Sequence, residues 1–152
     1  MHPNHPDFKS ALDDSIGFLL GITYRKISNL LTQRLKDYDI TPEQWSVLYR
    51  VYEQDGLIQR EIAERAGKDK PTTTRILDSL EAKGFIHKKA GQGDRRSFHV
   101  HITEKGQSLI QIAEPIEKKT VQDAVKHISP DEYDLLIKLL HRIGANIQEL
   151  TE

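Results

Sequence analysis

The chain has 152 residues, of which 30% are charged and 37% are hydrophobic, and its formal net charge is −1. This length is sufficient for one domain with a hydrophobic core and too short for two ordinary domains. The absence of cysteine excludes structural disulfides and any switch that depends on a reactive thiol. The sequence has neither the apolar run of roughly 20 residues that a membrane span needs nor the apolar region of a signal peptide. We therefore expect a cytoplasmic protein without a membrane segment.

The charge is unevenly distributed along the chain. The segment from Lys68 to Lys105 contains nine Lys or Arg residues against five Asp or Glu, a net charge of +4, and the remainder carries −5. A basic module on an acidic body is typical of proteins that bind phosphate groups. An ordinary solvated surface of mixed charge is the alternative interpretation.

The first predicted element is a long helix from about Leu12 to Leu35. Its apolar residues recur at helical spacing, but their stripe is wider than one neighbouring layer requires. Part of this helix should therefore face a surface beyond the chain's own core.

A second helix is predicted to begin at residues 40–45. Thr41 is suited to cap it, Pro42 to occupy its first position, and Gln44 to complete a capping box. Trp45 and Tyr52, which follow on this helix, are expected to be core residues rather than ligand contacts.

Residues 59–84 have the pattern of a helix-turn-helix. Gly67 ends a short helix because glycine tolerates the left-handed conformation, and Asp69 is a candidate N-cap for the next helix, which closes at Gly84. The exposed first turns of such a recognition helix meet the edges of DNA bases. The residues expected there are Thr72, Thr73, Thr74 and Arg75.

A β-hairpin wing is predicted to follow. Its strands are residues 85–86 and 97–102, with Phe98, Val100 and Ile102 alternating inward. The loop between them is rich in glycine and basic residues, and arginine side chains suit a narrow, electronegative minor groove. The charged residues of this region are Lys88, Lys89, Asp94, Arg95 and Arg96.

His99 and His101 are two residues apart and should therefore share the outer face of the second strand. A metal site is one interpretation of this pair. A solvent-facing pair that supports phosphate contacts is favoured, because no cysteine or carboxylate neighbour completes a ligand set. We therefore predict no metal site.

Two helices are predicted after the wing. The first runs from Thr103 to about His127, with a kink or break at Pro115. Ser129 and Glu132 form a capping box for the second, which carries a heptad-like apolar seam and needs a partner for stability. Intertwining these helices with the N-terminal helix of a second copy would bury the surplus apolar surface. The predicted dimer-interface residues are Leu12, Ile16, Leu136, Leu139, Leu140, Ile143 and Ile147.

Three sequence words in order, EIAERAG, PTTTRILDSLEAKGFI and GDRRSFHVHITEKG, resemble the DNA-binding core of the MarR family of bacterial transcriptional regulators. The resemblance extends over nearly the whole chain. It implies a mainly α fold with a small β-hairpin wing (α+β), a single domain of residues 1–152. Within it, residues 40–106 would form the winged helix-turn-helix lobe, and residues 10–36 and 108–150 the dimerisation helices. It also implies that Asp94 pairs with Arg75 and so ties the wing to the recognition helix, as we expect for an acidic residue in a basic loop.

The sequence thus predicts a homodimeric regulator that binds double-stranded DNA at a pseudo-palindromic operator. The residues expected to contact DNA are Lys70, Thr72, Thr73, Thr74, Arg75, Lys88, Lys89, Arg95 and Arg96. The resemblance further implies repression relieved by a small-molecule effector that binds between the dimerisation helices and the DNA-binding lobe. No cofactor and no catalytic residue are predicted.

Two other function classes stay open at this point. A winged helix used only for protein–protein contact would have no need of a basic wing, and its binding would not weaken with salt. A metal-responsive regulator has only the seven histidines in its favour. An enzyme is least favoured, because the chain has no phosphate-binding glycine loop and no nucleophile elbow.

Overall fold

The computed structural model describes residues 11–91 and 97–152, and these contain six α-helices and three short strands. Their bounds are α1 Ile16–Leu35, α2 Pro42–Glu53, β1 Leu57–Ile58, α3 Gln59–Ala66, α4 Lys70–Ala82, β2 Ile86–Ala90, β3 Phe98–Ile102, α5 Glu104–Ala124 and α6 Pro130–Thr151. The chain divides into two compact units, one ending at Lys118 and the other comprising Lys119–Glu152. None of the described helices combines the length and hydrophobicity that a membrane span requires.

The local signals for helix ends are confirmed. The backbone N–H of Gln44 donates to the Thr41 hydroxyl at 3.1 Å, and the Gln44 side chain accepts from the Thr41 N–H at 3.2 Å. Ser129 and Glu132 form the same reciprocal box before α6. Gly67 ends α3 in the left-handed conformation with φ 66°. These ends depend on hydrogen bonds between residues three or four apart, so the sequence alone predicts them.

The sheet has one strand more than the predicted hairpin. Its order is β1-β3-β2, and both pairings are antiparallel. Leu57 of β1 lies opposite Val100 and is 3% exposed, because β1 adds to the edge of the hairpin beside the start of α3. Two residues give too short a pattern to distinguish a strand from a loop.

The first unit has a core formed by helices α1–α5 and the inner face of the sheet. Its fully buried side chains include Leu35, Leu48, Leu77, Leu80 and Val100. Trp45 belongs to this core at 7% exposure, as predicted, whereas Tyr52 is 44% exposed and the expectation of a core position was wrong. Tyr52 lies in the last turn of α2, next to its final residue Glu53.

Three features differ from the sequence-based expectation. Strand β2 runs from Ile86 to Ala90, whereas the predicted strand was residues 85–86. Helix α1 begins at Ile16, after a turn, rather than at Leu12. Pro115 lies inside α5, which continues without a break to Ala124. Gly106 in the first turn of α5 packs so closely on the Phe85 carbonyl that a Cβ atom there would overlap it.

The second unit contains the end of α5 and the whole of α6. No residue of α6 is buried, although one side of the helix carries leucine and isoleucine at helical spacing. Leu135, Leu136, Leu139 and Ile147 are between 40% and 56% exposed. The prediction that residues 1–152 form a single domain remains a prediction.

Candidate nucleic-acid interface

The recognition helix α4 is held by its apolar face and exposes the start of its opposite face. Ile76, Leu77 and Leu80 are at most 5% exposed. Asp69 caps the helix as predicted, since its carboxylate accepts the Thr72 N–H at 2.8 Å. This hydrogen bond lowers the pKa of Asp69 and stabilises the ionised carboxylate at the helix N-terminus.

Four of the predicted DNA-contacting residues lie on the accessible part of α4. Lys70, Thr74 and Arg75 are exposed, and Thr72 is half-buried. Residues 70 and 74 are one helical turn apart and therefore share a face. The first turn and a half of α4 thus presents two cations and two hydroxyls to the solvent.

Thr73 is a correction. Its side chain is completely buried, and its hydroxyl donates to the Asp69 carbonyl at 2.8 Å. The prediction that Thr73 contacts base edges is therefore wrong. The three threonines are consecutive, and a helix turns about 100° per residue, so the three side chains cannot all face the same way.

Gln59 is a candidate that the sequence analysis missed. Its side-chain amide donates a hydrogen bond to the Thr74 hydroxyl, and that hydroxyl donates to the Lys70 carbonyl at 2.9 Å. The first residue of α3 is thereby attached to the exposed face of α4. Its separation of 15 residues from Thr74 leaves no local pattern from which the contact could have been predicted.

Lys88 of the wing contacts the recognition helix. Its ammonium forms an ion pair with Asp78 of α4, and its side chain is only 16% exposed. Its backbone N–H donates to the Glu81 carboxylate at 2.8 Å. The ammonium is therefore engaged within the protein rather than free for phosphate. Lys89, its neighbour, is exposed on the outer face of the wing, opposite His99.

A cleft lies between the wing and the starts of α3 and α4. It has a volume of about 360 Å³ and is lined by Ile58, Gln59, Arg60, Lys70, Ser97 and Phe98. Phe98 shares the inner face of β3 with Val100, as predicted, but it lies beyond the core and is 40% exposed. The expectation that Phe98 is buried was therefore wrong. The cleft combines the side-chain cations of Arg60 and Lys70 with the aromatic ring of Phe98.

The predicted wing residues Asp94, Arg95 and Arg96 lie outside the described residues. The pairing of Asp94 with Arg75 therefore stays a prediction. Within the described chain, the ion pair between Lys88 and Asp78 ties the wing to the recognition helix.

The histidines of the wing share its outer face, as predicted, and bind backbone or carboxylate groups. Nδ1 of His99 lies 2.8 Å from the Gly56 carbonyl, and Nδ1 of His101 lies 2.9 Å from the Asp55 carboxylate. His87 stacks on His101 with ring centroids 5.3 Å apart. Among residues 11–91 and 97–152, no group of three or more histidine and carboxylate side chains is arranged to hold a metal ion.

Asp55 joins the turn after α2 to strand β3. Burial raises the pKa of Asp55. Hydrogen bonds from the His101 ring and from the Ile102 N–H together lower this pKa by a larger amount, so the net shift is downward. The Ile102 N–H lies 2.8 Å from the carboxylate. The ionised carboxylate therefore holds the base of the wing.

These features have counterparts in known proteins. The family model of the MarR family matches residues 40–98, which span the helix-turn-helix and the start of β3. The solved transcriptional regulator PA3341 is 33% identical, with 89% of this chain and 99% of that chain covered and a TM-score of 0.77. The chain belongs to the MarR family. It is thus a DNA-binding transcriptional regulator with the winged helix-turn-helix fold.

Two further solved structures are similar over most of this chain. MepR from S. aureus, solved as a complex with DNA, is 26% identical, with 88% of this chain and 98% of that chain covered and a TM-score of 0.81. BpsR from Bordetella bronchiseptica is 20% identical, with 90% and 98% covered and a TM-score of 0.82. Its DNA binding is regulated by 6-hydroxynicotinic acid. At this identity the likeness to BpsR concerns the fold alone.

Proposed function

We propose that the protein is a homodimeric repressor that binds a pseudo-palindromic operator and leaves it when a small molecule binds. The observation that supports sequence-specific DNA binding is the orientation of α4. Its apolar face is buried in the core, and Lys70, Thr74 and Arg75 stand exposed on its first turns. In a winged helix these turns enter the major groove, where threonine contacts base edges or thymine methyl groups and arginine contacts guanine or phosphate.

The set of DNA contacts differs from the one predicted from sequence. Lys70, Thr72, Thr74, Arg75 and Lys89 remain in it, together with Arg95 and Arg96 of the wing loop. We add Gln59, Arg60 and Phe98, because they line the cleft between the wing and the recognition helix. Cations there would bind backbone phosphates, and the exposed ring of Phe98 would pack against a deoxyribose.

The apolar side chains on the terminal helices and in the turn before α1 support a dimer. Leu12 and Ile16 are 54% and 53% exposed, and the seam of α6 is equally open. Exposed leucine and isoleucine at helical spacing in two separate segments favours burial against a second copy. A two-fold dimer places two recognition helices about one helical turn of DNA apart, roughly 34 Å, so the operator would be an inverted repeat.

Release by a ligand is the remaining part of the proposal. Two clefts in the first unit offer space for an effector, one of about 280 Å³ between α2 and α5 and one of about 310 Å³ that also reaches α1. Such a ligand would favour a conformation in which the two recognition helices no longer match successive grooves. A regulator of this kind acts where the bacterial chromosome lies, in the cytoplasm.

The test is a selection of bound sequences from random duplex DNA, repeated at two salt concentrations. We expect an enriched inverted repeat and an affinity that falls steeply with salt, because each phosphate contact releases a counterion. A folded dimer that enriches no DNA sequence, and whose affinity for DNA does not change with salt, would instead favour a winged helix used for protein contact. Size measurement by light scattering on the same sample tests the dimer.

A further inference from the structure

The cleft between α2 and α5 has an aromatic wall. Trp45 and Tyr49 line it, with ring centroids 5.4 Å apart, and Tyr52 continues the row at 5.9 Å from Tyr49. The three rings lie four and three residues apart on α2 and so occupy one helical face. A flat aromatic ligand would find stacking partners along this wall.

The charges that line the same cleft are not all neutralised. The two cations are engaged, since Arg50 pairs with Glu53 at 2.9 Å and Lys118 pairs with Glu114 at 3.4 Å. Glu117 also lines the cleft, and among the described residues it forms neither a hydrogen bond nor an ion pair. One negative charge therefore remains without a close partner beside the aromatic wall.

The pKa values of Glu117 and Tyr49 are both raised in this cleft. Burial, together with the nearby Glu114, raises the pKa of Glu117 despite the opposing effect of Lys118. Burial and the carboxylates of Glu114 and Glu53 raise the pKa of Tyr49. The nearby carboxylates among these causes disfavour a further negative charge in the cleft and favour a cation, whereas burial disfavours a charge of either sign.

Glu117 also lines the second cleft, which is mostly apolar. Its other lining residues include Tyr24, Ile27, Leu31, Pro42 and Ala66, with Lys68 as its only cation within the described chain. Trp45, Ser46 and Glu117 are common to both clefts. A ligand could therefore place its charged group at Glu117 and its apolar part in either direction.

We propose that the effector is an aromatic cation, whose positive group binds the Glu117 carboxylate and whose ring stacks on Trp45 and Tyr49. This inference rests on the ligand-responsive repressor proposed above and names the chemical class of its ligand. A cation over the face of tryptophan or tyrosine is attracted by the ring quadrupole, and a carboxylate beside the ring adds a direct ionic contact. An aromatic carboxylate of the same size would meet Glu117 as a like charge.

Trp45 is the only tryptophan of the chain, so its fluorescence reports directly on these clefts. The full-length protein is titrated with benzyltrimethylammonium and, separately, with phenylacetate, which carries a similar ring and the opposite charge. We expect the cation to change Trp45 fluorescence saturably and to bind at least 10-fold more tightly than the anion. Tighter binding of phenylacetate, or no binding of the cation, would overturn the assignment.

Glu117→Gln tests the role of the carboxylate, and Glu104→Gln is the matched control on an exposed position of the same helix. We expect the first variant to weaken cation binding about 10-fold, which corresponds to about 1.4 kcal/mol, and the control to bind like wild type. Thermal unfolding of both variants establishes that they are folded. Equal affinity of the two variants for the cation would contradict the proposal. The comparison of benzyltrimethylammonium with phenylacetate is made on the wild-type chain and does not depend on the folding of any variant.

Operator release is measured separately, with the enriched DNA sequence and each probe. If the cation binds at Trp45 but operator DNA is not released, the chemical class of the ligand is supported and ligand-induced release is overturned. If phenylacetate releases operator DNA and the cation does not bind, the ligand-responsive repressor is supported and the aromatic-cation assignment is overturned.

Discussion

The ammonium of Lys88 in β2 forms an ion pair with the carboxylate of Asp78 in α4. Lys88 lies opposite Val100, which is fully buried, so its side chain lies on the inner face of the wing. The wing is thereby attached to the recognition helix at a point within the described chain. Two adjacent lysines with the same chemistry consequently have different roles, because one faces the protein and the other the solvent.

Lys88→Met and Lys89→Met should separate these roles. Lys89→Met is expected to reduce the salt dependence of operator binding by about one phosphate contact, while Lys88→Met leaves this slope unchanged. Lys88→Met should instead lower the free energy of unfolding by up to about 1 kcal/mol, the range of partly exposed ion pairs. The measurements are operator titrations at several salt concentrations and urea unfolding. A reduced slope in Lys88→Met would return this residue to the phosphate contacts.

Thr73 and Thr74 provide a second matched pair. Thr73→Val removes a buried hydroxyl that donates to the Asp69 carbonyl, and that carbonyl retains the backbone N–H of Thr73 at 3.0 Å. We expect stability to fall by no more than about 1 kcal/mol and the operator affinity to stay unchanged. Thr74→Val removes the exposed hydroxyl that accepts from Gln59 and should weaken operator binding while leaving stability nearly unchanged. Competition binding measures both variants, and loss of affinity in Thr73→Val would contradict its buried position.

Gly106 is expected to tolerate no side chain. A Cβ atom at this position would overlap the Phe85 carbonyl and approach Cγ1 of Ile102, which lies in the adjoining strand. Gly106→Ala should therefore destabilise the protein by roughly 1–3 kcal/mol, the usual cost of overpacking. Gly21→Ala is the control, since nothing lies within 4 Å of its Cβ position in α1. This control should be neutral or stabilising by up to about 1 kcal/mol, and urea unfolding under identical conditions compares the two.

The Asp55 carboxylate should make the base of the wing sensitive to acid. Its pKa in the folded protein is lower than the ordinary value of 3.8. Its contribution to stability is therefore complete above about pH 5 and is lost as the pH falls through the ordinary value towards the folded one. Asp55→Ala should remove this part of the pH dependence, with a loss above pH 5 of about 1 kcal/mol or less because the side chain is half exposed.

The measurement is the free energy of unfolding between pH 2.5 and pH 7. Asp37→Ala is the control, because Asp37 is exposed and forms no hydrogen bond among the described residues. Its curve should follow that of the wild type. A curve for Asp55→Ala that is parallel to the wild-type curve would mean that the hydrogen bonds from His101 and Ile102 do not favour the ionised carboxylate.

The sequence by itself predicted the parts of this protein that depend on neighbours along the chain. The capping boxes at Thr41 and Ser129, the left-handed end at Gly67 and the cap at Asp69 all join residues a few positions apart. The order and spacing of the three sequence words EIAERAG, PTTTRILDSLEAKGFI and GDRRSFHVHITEKG also predicted the family. Helical periodicity identified the apolar seam of α6, and every residue of that helix remains accessible.

The tertiary structure decided which side chains of the candidate interface are available. Thr73 and Thr74 are the same residue type, and the packing of α4 on the core buries the first and leaves the second exposed. The short strand β1, the contact of Gln59 with Thr74 and the pairing of Lys88 with Asp78 join residues 10 or more positions apart. Contacts of this kind arise when elements pack together, and no local pattern encodes them. Phe98 illustrates the same limit, because strand alternation predicts the face of a side chain but not where the core beneath that face ends.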